Sequence, residues 1–393
     1  MVPLIRPVLV PSRLPVSDLR GGVGTPYMVY DVRRDRYWLL FTGWSDPTGL
    51  KREGFVAPVD EGLNVDLSGL RKILPSTFPE PAEYTNNAIR GLYNEARDEF
   101  YVTSTHGKDA YIFVFDHEWV LKGYKVLIGG FNKDSGFPIR PTGAYGNIRD
   151  ALAVAPIGDG PSPAVGLFMV RNFDDLNELK VEDWGELGRW GRGNDVIDFT
   201  TMPRFQVFVE VDSPNKWILQ TYIGPSLDEI WAIDDLKNVA LLEASLMPLL
   251  GVEDSLTQIG HPHYTTLPDG KPKLLFASFR DTWSTRPDTK REGYTHEIWA
   301  VYVDESIFNP ASYGELRGVF TGVESKWYYV PHADRLLVSI SGEAELHQKL
   351  DLHDEVEQIT KLSRGINIID KPATWVKIKA GAQVKATIKA VIK

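Results

Sequence analysis

The chain has 393 residues, of which 43% are apolar and 24% are charged, and it contains no cysteine. An apolar share near the globular average excludes wholesale disorder. The missing cysteines exclude disulfides, thiolate metal sites and cysteine nucleophiles. The formal net charge is −10, and no cluster of Lys and Arg precedes the last 20 residues. Nucleic acid is therefore not an expected partner, because binding to phosphates needs a basic face.

The first residues and the hydropathy pattern bear on targeting. Pro3, Pro7, Pro11 and Pro15 interrupt the apolar start, so the sequence predicts no signal peptide. It also predicts no membrane span, because no uncharged apolar stretch is long enough. Absent cysteine and scarce glutamine are typical of thermophilic proteins. No cofactor is expected, since GGVG at Gly21 lacks the spacing of a phosphate-binding loop.

Internal repeats are the most informative feature of the sequence. Each of six segments has an apolar strand, a short turn carrying Asp or Asn, and a second apolar strand. They begin at Thr25, Asn86, Arg149, Pro203, Gly260 and Glu324. Repeats of this size, with one or two further strands each, are typical of propeller blades. The sequence therefore predicts an all-β fold, a β-propeller with six blades favoured and five as the alternative.

The two ends of the chain lie outside the six repeats. Propellers commonly close by pairing an N-terminal strand with the last blade, and residues 4–10 are predicted to supply it. We place the propeller in residues 1–350 and a C-terminal β tail in residues 351–393. Short helices are predicted at Val181 and Asp235.

The tail from Thr374 predicts two strands around Gly381, in which apolar residues alternate with lysines. Two interpretations of its apolar face stay open. The tail packs on the propeller, or residues 374–393 assemble with another chain into a homo-oligomer.

A ligand site is expected where the first strands begin and the second strands end, at the mouth of a central funnel. A glycan or another small polar ligand suits the aromatic, basic and polar residues there. The predicted ligand-binding residues are Trp44, Asn87, Arg90, His106, Arg149, Arg171, Arg204, Tyr222, His261, Arg280 and Trp283. His261 and His263 are two residues apart on a predicted strand and form a candidate metal site.

Two of the repeats carry a resemblance to a known family. TPYMVYDVRRDRYWLLFTG from Thr25 and GHPHYTTLPDGKPKLLFAS from Gly260 resemble segments of the propeller glycoside hydrolases, which include arabinanases, β-xylosidases and invertase-like enzymes. The similarity covers about 40 residues. It implies a propeller, usually of five blades, and a mechanism in which paired carboxylates protonate the leaving oxygen and activate water.

The sequence departs from this family at the positions where the resemblance implies aspartates. Thr25 and Asn86-Asn87 occupy those positions, and neither type of side chain acts as a base; only Asp150 lies near an equivalent later position. Sialidases, which hold a sugar carboxylate with arginines, are a second comparison, but their S-x-D-x-G-x-T-W box is absent. The candidate catalytic residues are Asp18, Asp46, Asp150 and Asp281.

Three functions remain open at this point, of which a protein-interaction scaffold is the least favoured, because the chain shows no WD or Kelch signature. The first is a carbohydrate-recognising propeller, as a lectin-like protein or a divergent glycoside hydrolase or lyase that acts on a glycan in the funnel. The second is a non-catalytic structural or adhesion protein, such as a surface or virion component, that assembles through its C-terminal β tail.

Overall fold

The computed structural model describes most of the chain as β-structure. It covers residues 4–11, 14, 16–45, 51–82, 85–130, 139–141, 149–157, 164–189, 193–200, 206–213, 216–223, 239–240, 242–245, 257–266, 272–280, 296–302, 315–355 and 357–392. The described residues include two short 3₁₀ turns, Ser17–Leu19 and Leu67–Gly69, and no α-helix.

The N-terminal half consists of β1 and three groups of antiparallel strands. Strand β1 is Leu4–Leu9, and the strands of these groups follow in chain order. They are β2 (Gly22–Asp31), β3 (Arg36–Trp44), β4 (Glu53–Val59), β5 (Arg71–Leu74), β6 (Asn87–Asn94), β7 (Glu99–His106), β8 (Asp109–Asp116), β9 (Leu121–Ile128), β10 (Ile139–Pro141), β11 (Ala151–Ile157), β12 (Ala164–Arg171) and β13 (Lys180–Arg189). Strands β6–β9 and β10–β13 form two sheets of four consecutive strands, and β2–β5 are four consecutive strands of a larger, eight-stranded sheet.

Two further groups and a C-terminal sheet complete the fold. The fourth group has β14 (Gly193–Thr200), β15 (Gln206–Ser213), β16 (Lys216–Ile223), β17 (Val239–Ala240) and β18 (Leu242–Ser245). The fifth has β19 (Thr257–Thr266), β20 (Pro272–Arg280) and β21 (His296–Tyr302). The C-terminal sheet has β22 (Glu315–Glu324), β23 (Trp327–Tyr329), β24 (Arg335–Ile340), β25 (Ala344–Lys349), β26 (Gln358–Leu362), β27 (Gly365–Asp370) and β28 (Trp375–Val391).

The first five predicted hairpins are confirmed by strand pairing. The antiparallel pairs are β2 with β3, β6 with β7, β11 with β12, β15 with β16, and β19 with β20. Two strands that the sequence analysis missed, β10 and β14, pair with β11 and β15. Aromatic and β-branched residues are frequent in these strands, as expected from their propensities, and each of the two described turns ends with an aspartate, Asp35 and Asp98.

The five groups meet in a ring. Strand β2 contacts β6, β6 contacts β10, β11 contacts β14, β14 contacts β19, and β19 returns to β2. The predicted N-terminal strand is present as β1, but it pairs antiparallel with β21 of the fifth group and not with the sixth predicted unit. This arrangement is a β-propeller. We call the five groups its first to fifth blades in chain order, and the total number of blades stays a prediction.

Blades bury both of their faces, which explains why their strands are apolar runs. In β3, Leu39 and Phe41 pack in a core shared with the fifth blade, whereas Trp38 and Leu40 pack in a core shared with the second. Consecutive side chains of a strand point to opposite faces, so a blade covered on both sides needs apolar residues at every position.

The strand pairing predicted for the sixth hairpin is wrong. Strand β23 pairs with β17 and β28, and β24 pairs with β27 and β28, so the two strands of that hairpin do not pair with each other among the described ladders. Both lie in the C-terminal sheet. Strand β22 joins that sheet to the fourth blade through a single bridge from Arg317 to Glu243.

The tail is one strand of 17 residues, not two strands around Gly381. It is a central strand that pairs with β22, β23, β24 and β25. Val376, Ile378, Val384 and Ile388 are buried in the core of the C-terminal sheet. The apolar face of the tail is thus buried within the chain, in line with the first interpretation. Assembly through residues 374–393 stays a prediction. The domain boundary at residue 350 also stays a prediction, and the pairs of β28 with β22, β23, β24 and β25 cross it.

The helix predicted at Val181 is also wrong, because these residues form β13. Strands β17 and β18 cover part of the segment predicted as a helix from Asp235, and the rest of that segment lies outside the described residues.

An ion network joins the turns of the first two blades. The Arg34 guanidinium donates to both oxygens of Asp98 at 2.7 Å and to Oδ2 of the buried Asp31 at 3.0 Å. The Tyr93 hydroxyl donates to Asp98 at 2.5 Å. The hydrogen bond from Arg34 is the main reason that the pKa of Asp98 lies well below its ordinary value.

We expect Asp98→Asn to lower the free energy of unfolding by about 2 kcal/mol at pH 7, because charge-assisted hydrogen bonds to a partly buried carboxylate are lost. A carboxyl group whose folded pKa is depressed contributes stability above its unfolded pKa, near 4, and loses it as the pH falls further. The difference between the two proteins should therefore shrink below about pH 4. Urea unfolding from pH 3 to 7 measures it. Glu118→Gln, at an exposed site of the second blade, is the control, and an equal loss there would contradict the prediction.

Candidate functional site

The funnel end of each blade is the end at which the first strand of its predicted hairpin begins and the second strand of that hairpin finishes. The pairs Gly22 with Trp44, Asn87 with Thr105, Ala151 with Val170 and Thr257 with Arg280 mark this end. Because the units repeat the same strand order around the ring, we take these ends to lie on one face of the propeller. The ladders of three units also shift register here, between Gly24 and Tyr27, Asn87 and Arg90, and Gly260 and His263.

Thr25 occupies the first of the positions where the family resemblance implies an aspartate. Its backbone φ is 50°, which is uncommon for a β-branched residue. Its side chain is buried, and its hydroxyl oxygen lies 2.8 Å from that of Thr42. The Thr42 hydroxyl in turn lies 3.2 Å from the Gly24 carbonyl oxygen. Thr25 is thus a structural residue of the funnel wall, without surface for a substrate.

Asn86 occupies the second position and is fully buried. Its amide nitrogen donates to the carbonyl oxygens of Pro75 at 2.9 Å, Leu74 at 3.1 Å and Arg52 at 3.3 Å. Three acceptors around one NH₂ group fit an amide and exclude a carboxylate, which has no proton to donate at neutral pH. This position therefore joins the first blade to the second and is not a proton acceptor.

Three predicted ligand contacts also form the wall of the funnel end. Arg90 is fully buried, with its guanidinium carbon 5.4 Å from the ring centre of Tyr27. Trp44 is buried beneath Arg52, whose guanidinium carbon lies 5.3 Å from its ring. His106 is buried, and its Nε2 lies 2.5 Å from the Glu80 carbonyl oxygen. Burial lowers the pKa of His106 below its ordinary value, so its ring is neutral at pH 7.

The third blade carries the open part of the site. Asp150 precedes β11 and Arg171 ends β12; Arg171 Nη1 donates to Asp150 Oδ2 at 2.9 Å. Arg171 Nε lies 3.4 Å from Glu182, and the guanidinium lies 5.8 Å from the ring centre of Trp184. Trp184 Nε1 donates to Glu182 at 3.2 Å. We call Asp150, Arg171, Glu182 and Trp184 the blade-three cluster.

Arg171 forms ion pairs with both carboxylates of this cluster. The hydrogen bond to Asp150 is the main cause that raises the pKa of Arg171 above its ordinary value. Asp150 also accepts from the backbone N–H of Asn172 at 3.2 Å, and Arg149 donates to the Asn172 side chain at 2.9 Å. All four residues of the cluster are partly or largely exposed. The cluster therefore offers a ring face, carboxylate oxygens and guanidinium N–H groups to solvent.

Glu182 and Trp184 were missed by the sequence analysis, which assigned their segment to a helix. The signal that could have found them is their spacing of two residues, which on a regular strand places both side chains on one face. The ladder shifts register at Trp184, and the hydrogen bond from Trp184 to Glu182 brings the two side chains together. In the structure both lie in β13, beside the strand that ends at Arg171.

For the remaining predicted residues, the structure either describes the backbone alone or does not describe the residue. Asp18 lies in the first 3₁₀ turn, Asn87 begins β6, Tyr222 lies in β16, His261 and His263 lie in β19, and Arg280 ends β20. Asp46, Arg204, Asp281 and Trp283 lie outside the described residues. Their roles stay predictions. The register shift between Gly260 and His263 interrupts the strict alternation on which the metal prediction rests.

Within the described part of the chain, no group of three or more Asp, Glu or His side chains is placed to hold a metal ion. In the same part, no helix has the length and apolarity required to cross a membrane.

No protein-family model and no curated protein sequence matches the chain. Solved structures of glycoside hydrolases do resemble it. A GH32 β-fructofuranosidase of Bombyx mori has a TM-score of 0.48 and 10% identity over 95% of this chain and 92% of that one. The catalytic domain of a GH62 α-L-arabinofuranosidase of Coprinopsis cinerea has a TM-score of 0.47 and 10% identity over 76% and 95%. An exo-β-1,3-galactanase of Phanerochaete chrysosporium has a TM-score of 0.45 and 9% identity over 94% and 96%.

These proteins belong to the class that the repeats at Thr25 and Gly260 resemble, the propeller glycoside hydrolases.

Proposed function

We propose that this protein recognises a carbohydrate at the funnel end of the propeller, through the blade-three cluster. The observation that supports this most is the cluster itself. An indole ring and two carboxylates are linked through one guanidinium by hydrogen bonds and a cation–π contact, and all four groups are at least partly open to solvent. The apolar face of a sugar ring stacks on an indole, while its hydroxyl groups donate to carboxylates and accept from a guanidinium.

Recognition without cleavage is the form that the first two blades support. The two-carboxylate mechanism of glycoside hydrolysis needs an acid and a base on opposite sides of the scissile bond. Thr25 and Asn86 hold the positions where the resemblance implies aspartates, and both side chains are buried in structural hydrogen bonds. Of the four candidate aspartates, Asp150 is the one whose side chain lies in the described part of the chain, and Arg171 pairs with it.

A second candidate function is supported by the same two residues. A non-catalytic structural or adhesion protein needs no acid and base at the funnel, which fits Thr25 and Asn86. This alternative predicts that the blade-three cluster binds no sugar.

A glycan array on the purified full-length protein tests the proposal, with release of reducing ends measured for every glycan bound. We expect Trp184→Ala to weaken binding at least about tenfold, since a stacking contact of about 1.5 kcal/mol is lost. Trp327→Ala is the matched control. Trp327 is a half-buried tryptophan of the C-terminal sheet with a cation, Lys377, 4.7 Å from its ring centre.

Three outcomes are informative. Binding that Trp184→Ala weakens and Trp327→Ala leaves unchanged supports the proposal. Release of reducing ends, lost in Asp150→Asn, would add catalysis by a relocated carboxylate. If no glycan binds, or if both tryptophan variants bind as the wild type does, the proposal fails and the structural alternative takes its place.

A further inference from the structure

The edge of the C-terminal sheet exposes an apolar strand. Strand β27 pairs with β24, and with no other strand among the described residues. Ile366 is 76% exposed and Ile368 is 58% exposed, and both lie on the outer face of this edge. Opposite them on β24 are Ser339 and Leu337. Two neighbouring isoleucines on a free strand edge are a surface that natural proteins usually avoid or cover.

The usual protections against strand pairing are missing from β27. Its sequence, GINIID, contains no proline and no lysine, and the charges stand at its two ends, with Arg364 just before the strand and Asp370 as its last residue. A short edge strand with β-branched residues and unpaired backbone groups is a template for another strand.

The alternation of side chains limits the register of a self-pair. In an antiparallel pair, directly opposite residues point to the same face, so even-numbered residues must face even-numbered ones. A two-fold axis can therefore pass through Ile366, Asn367 or Ile368.

These three registers differ in what they bring together. An axis at Ile368 places Ile366 opposite the partner's Asp370, and an axis at Ile366 places Arg364 opposite the partner's Ile368. An axis at Asn367 places each Ile366 opposite the partner's Ile368 and each Arg364 opposite the partner's Asp370. Only this register matches apolar with apolar and opposite charge with opposite charge at every outer position.

We propose that β27 pairs with β27 of a second copy of this chain, antiparallel and with the two-fold axis at Asn367. The pairing is isologous, since the same patch serves both copies, and it extends the C-terminal sheet continuously from one chain into the other. Asp370 keeps its hydrogen bond from Arg335 within the chain, at 2.7 Å, and offers its second oxygen to the partner's Arg364. Neither the funnel nor its ligand takes part in this contact.

Sedimentation velocity of the full chain over a concentration series tests the proposal. Wild-type protein is expected to reach twice the 44.2 kDa of one chain at about 100 μM. The double variant I366D/I368D should raise the dimer dissociation constant at least about tenfold, because two isoleucine pairs are lost and four carboxylates meet. Both residues are exposed, so the melting temperature of the single chain should change little.

The chain offers a matched control. Leu350 is 77% exposed and Ile359 is 53% exposed, and both lie in the C-terminal sheet region outside the proposed contact. L350D/I359D adds the same charge to residues of nearly the same exposure and should leave the dimer intact. A wild-type protein that stays monomeric at 100 μM, or equal dissociation of both double variants, overturns the proposal. A monomer would leave the edge free for a strand of a different protein.

The register has a test of its own. R364D and D370R should each weaken the dimer, because each places two like charges opposite one another across the axis. The combined variant R364D/D370R restores opposite charges at both positions and should recover most of the affinity. If the dimer dissociation constant of the combined variant rises by the product of the two single increases, the register centred on Asn367 is wrong.

Discussion

Ile388→Asp is expected to lower the stability of the C-terminal sheet by about 4 kcal/mol or more, because it removes a buried apolar side chain and places a carboxylate in its position. Ile388 is almost fully buried and lies in the C-terminal part of β28. It lies between Val338 of β24 and Gly318 of β22 in the two ladders that flank it. A loss of this size at the central strand should unfold the whole sheet, which limited proteolysis and thermal unfolding would report.

Gln383→Asp is the control for this prediction. Gln383 is exposed on the same strand, so the variant adds the same charge without removing a buried contact. We expect a change within about 0.5 kcal/mol. If the two variants were equally stable, β28 would not be the central strand of a packed sheet.

Asn86→Asp is expected to lower the free energy of unfolding by about 3 kcal/mol at pH 7. The variant turns a donor of three hydrogen bonds into a carboxylate that faces the carbonyl oxygens of Arg52, Leu74 and Pro75. A buried carboxyl group among acceptors is stable only when protonated, so its folded pKa would rise above its unfolded value.

The sign of the pH dependence follows from this rise. A group whose folded pKa is raised contributes stability at low pH and loses it as the pH rises through that value. The deficit of Asn86→Asp should therefore be smaller near pH 4 than at pH 7. Urea unfolding at both pH values measures it, with Asn177→Asp, at an exposed turn residue, as the control. A deficit that does not depend on pH would contradict the buried clamp that we assign to Asn86.

Together, Thr25 and Asn86 explain how a fold of this class can lack the acidic residues of the enzymes it resembles. Where the resemblance implies an acid, each side chain instead forms hydrogen bonds that hold neighbouring backbone segments. In the described part of the funnel end, the site that we propose is the blade-three cluster, in which Arg171 forms ion pairs with Asp150 and Glu182. An ion-paired cluster of this kind favours binding of a polar ligand over proton transfer.

The sequence by itself predicted the elements whose causes are local. Five hairpins and the N-terminal strand were found because aromatic and β-branched runs favour strands. The apolar runs of strands such as β3 also predicted burial on both faces, and the cores on its two sides confirm it.

Tertiary structure decided the features that depend on distant partners. The segment from Glu324 has the pattern of a blade hairpin, yet its strands pair with β17, β27 and β28, because strand pairing is set by which edges meet and not by adjacency in the chain. The same reason makes β28 one continuous strand through Gly381, since four neighbouring strands extend along it. The segment from Val181, for which the sequence predicted a helix, forms strand β13 because it pairs with β12.

The site divides in the same way. Composition and position pointed to the funnel end and to Asp150 and Arg171, whose residue types suit a polar ligand. Whether a side chain there is open or enclosed depends on its neighbours in other blades. Arg90 and His106 are buried by them, while Arg171 remains partly exposed beside Glu182 and Trp184. Burial is a property of the packed blades, and the physical chemistry of each residue type alone does not determine it.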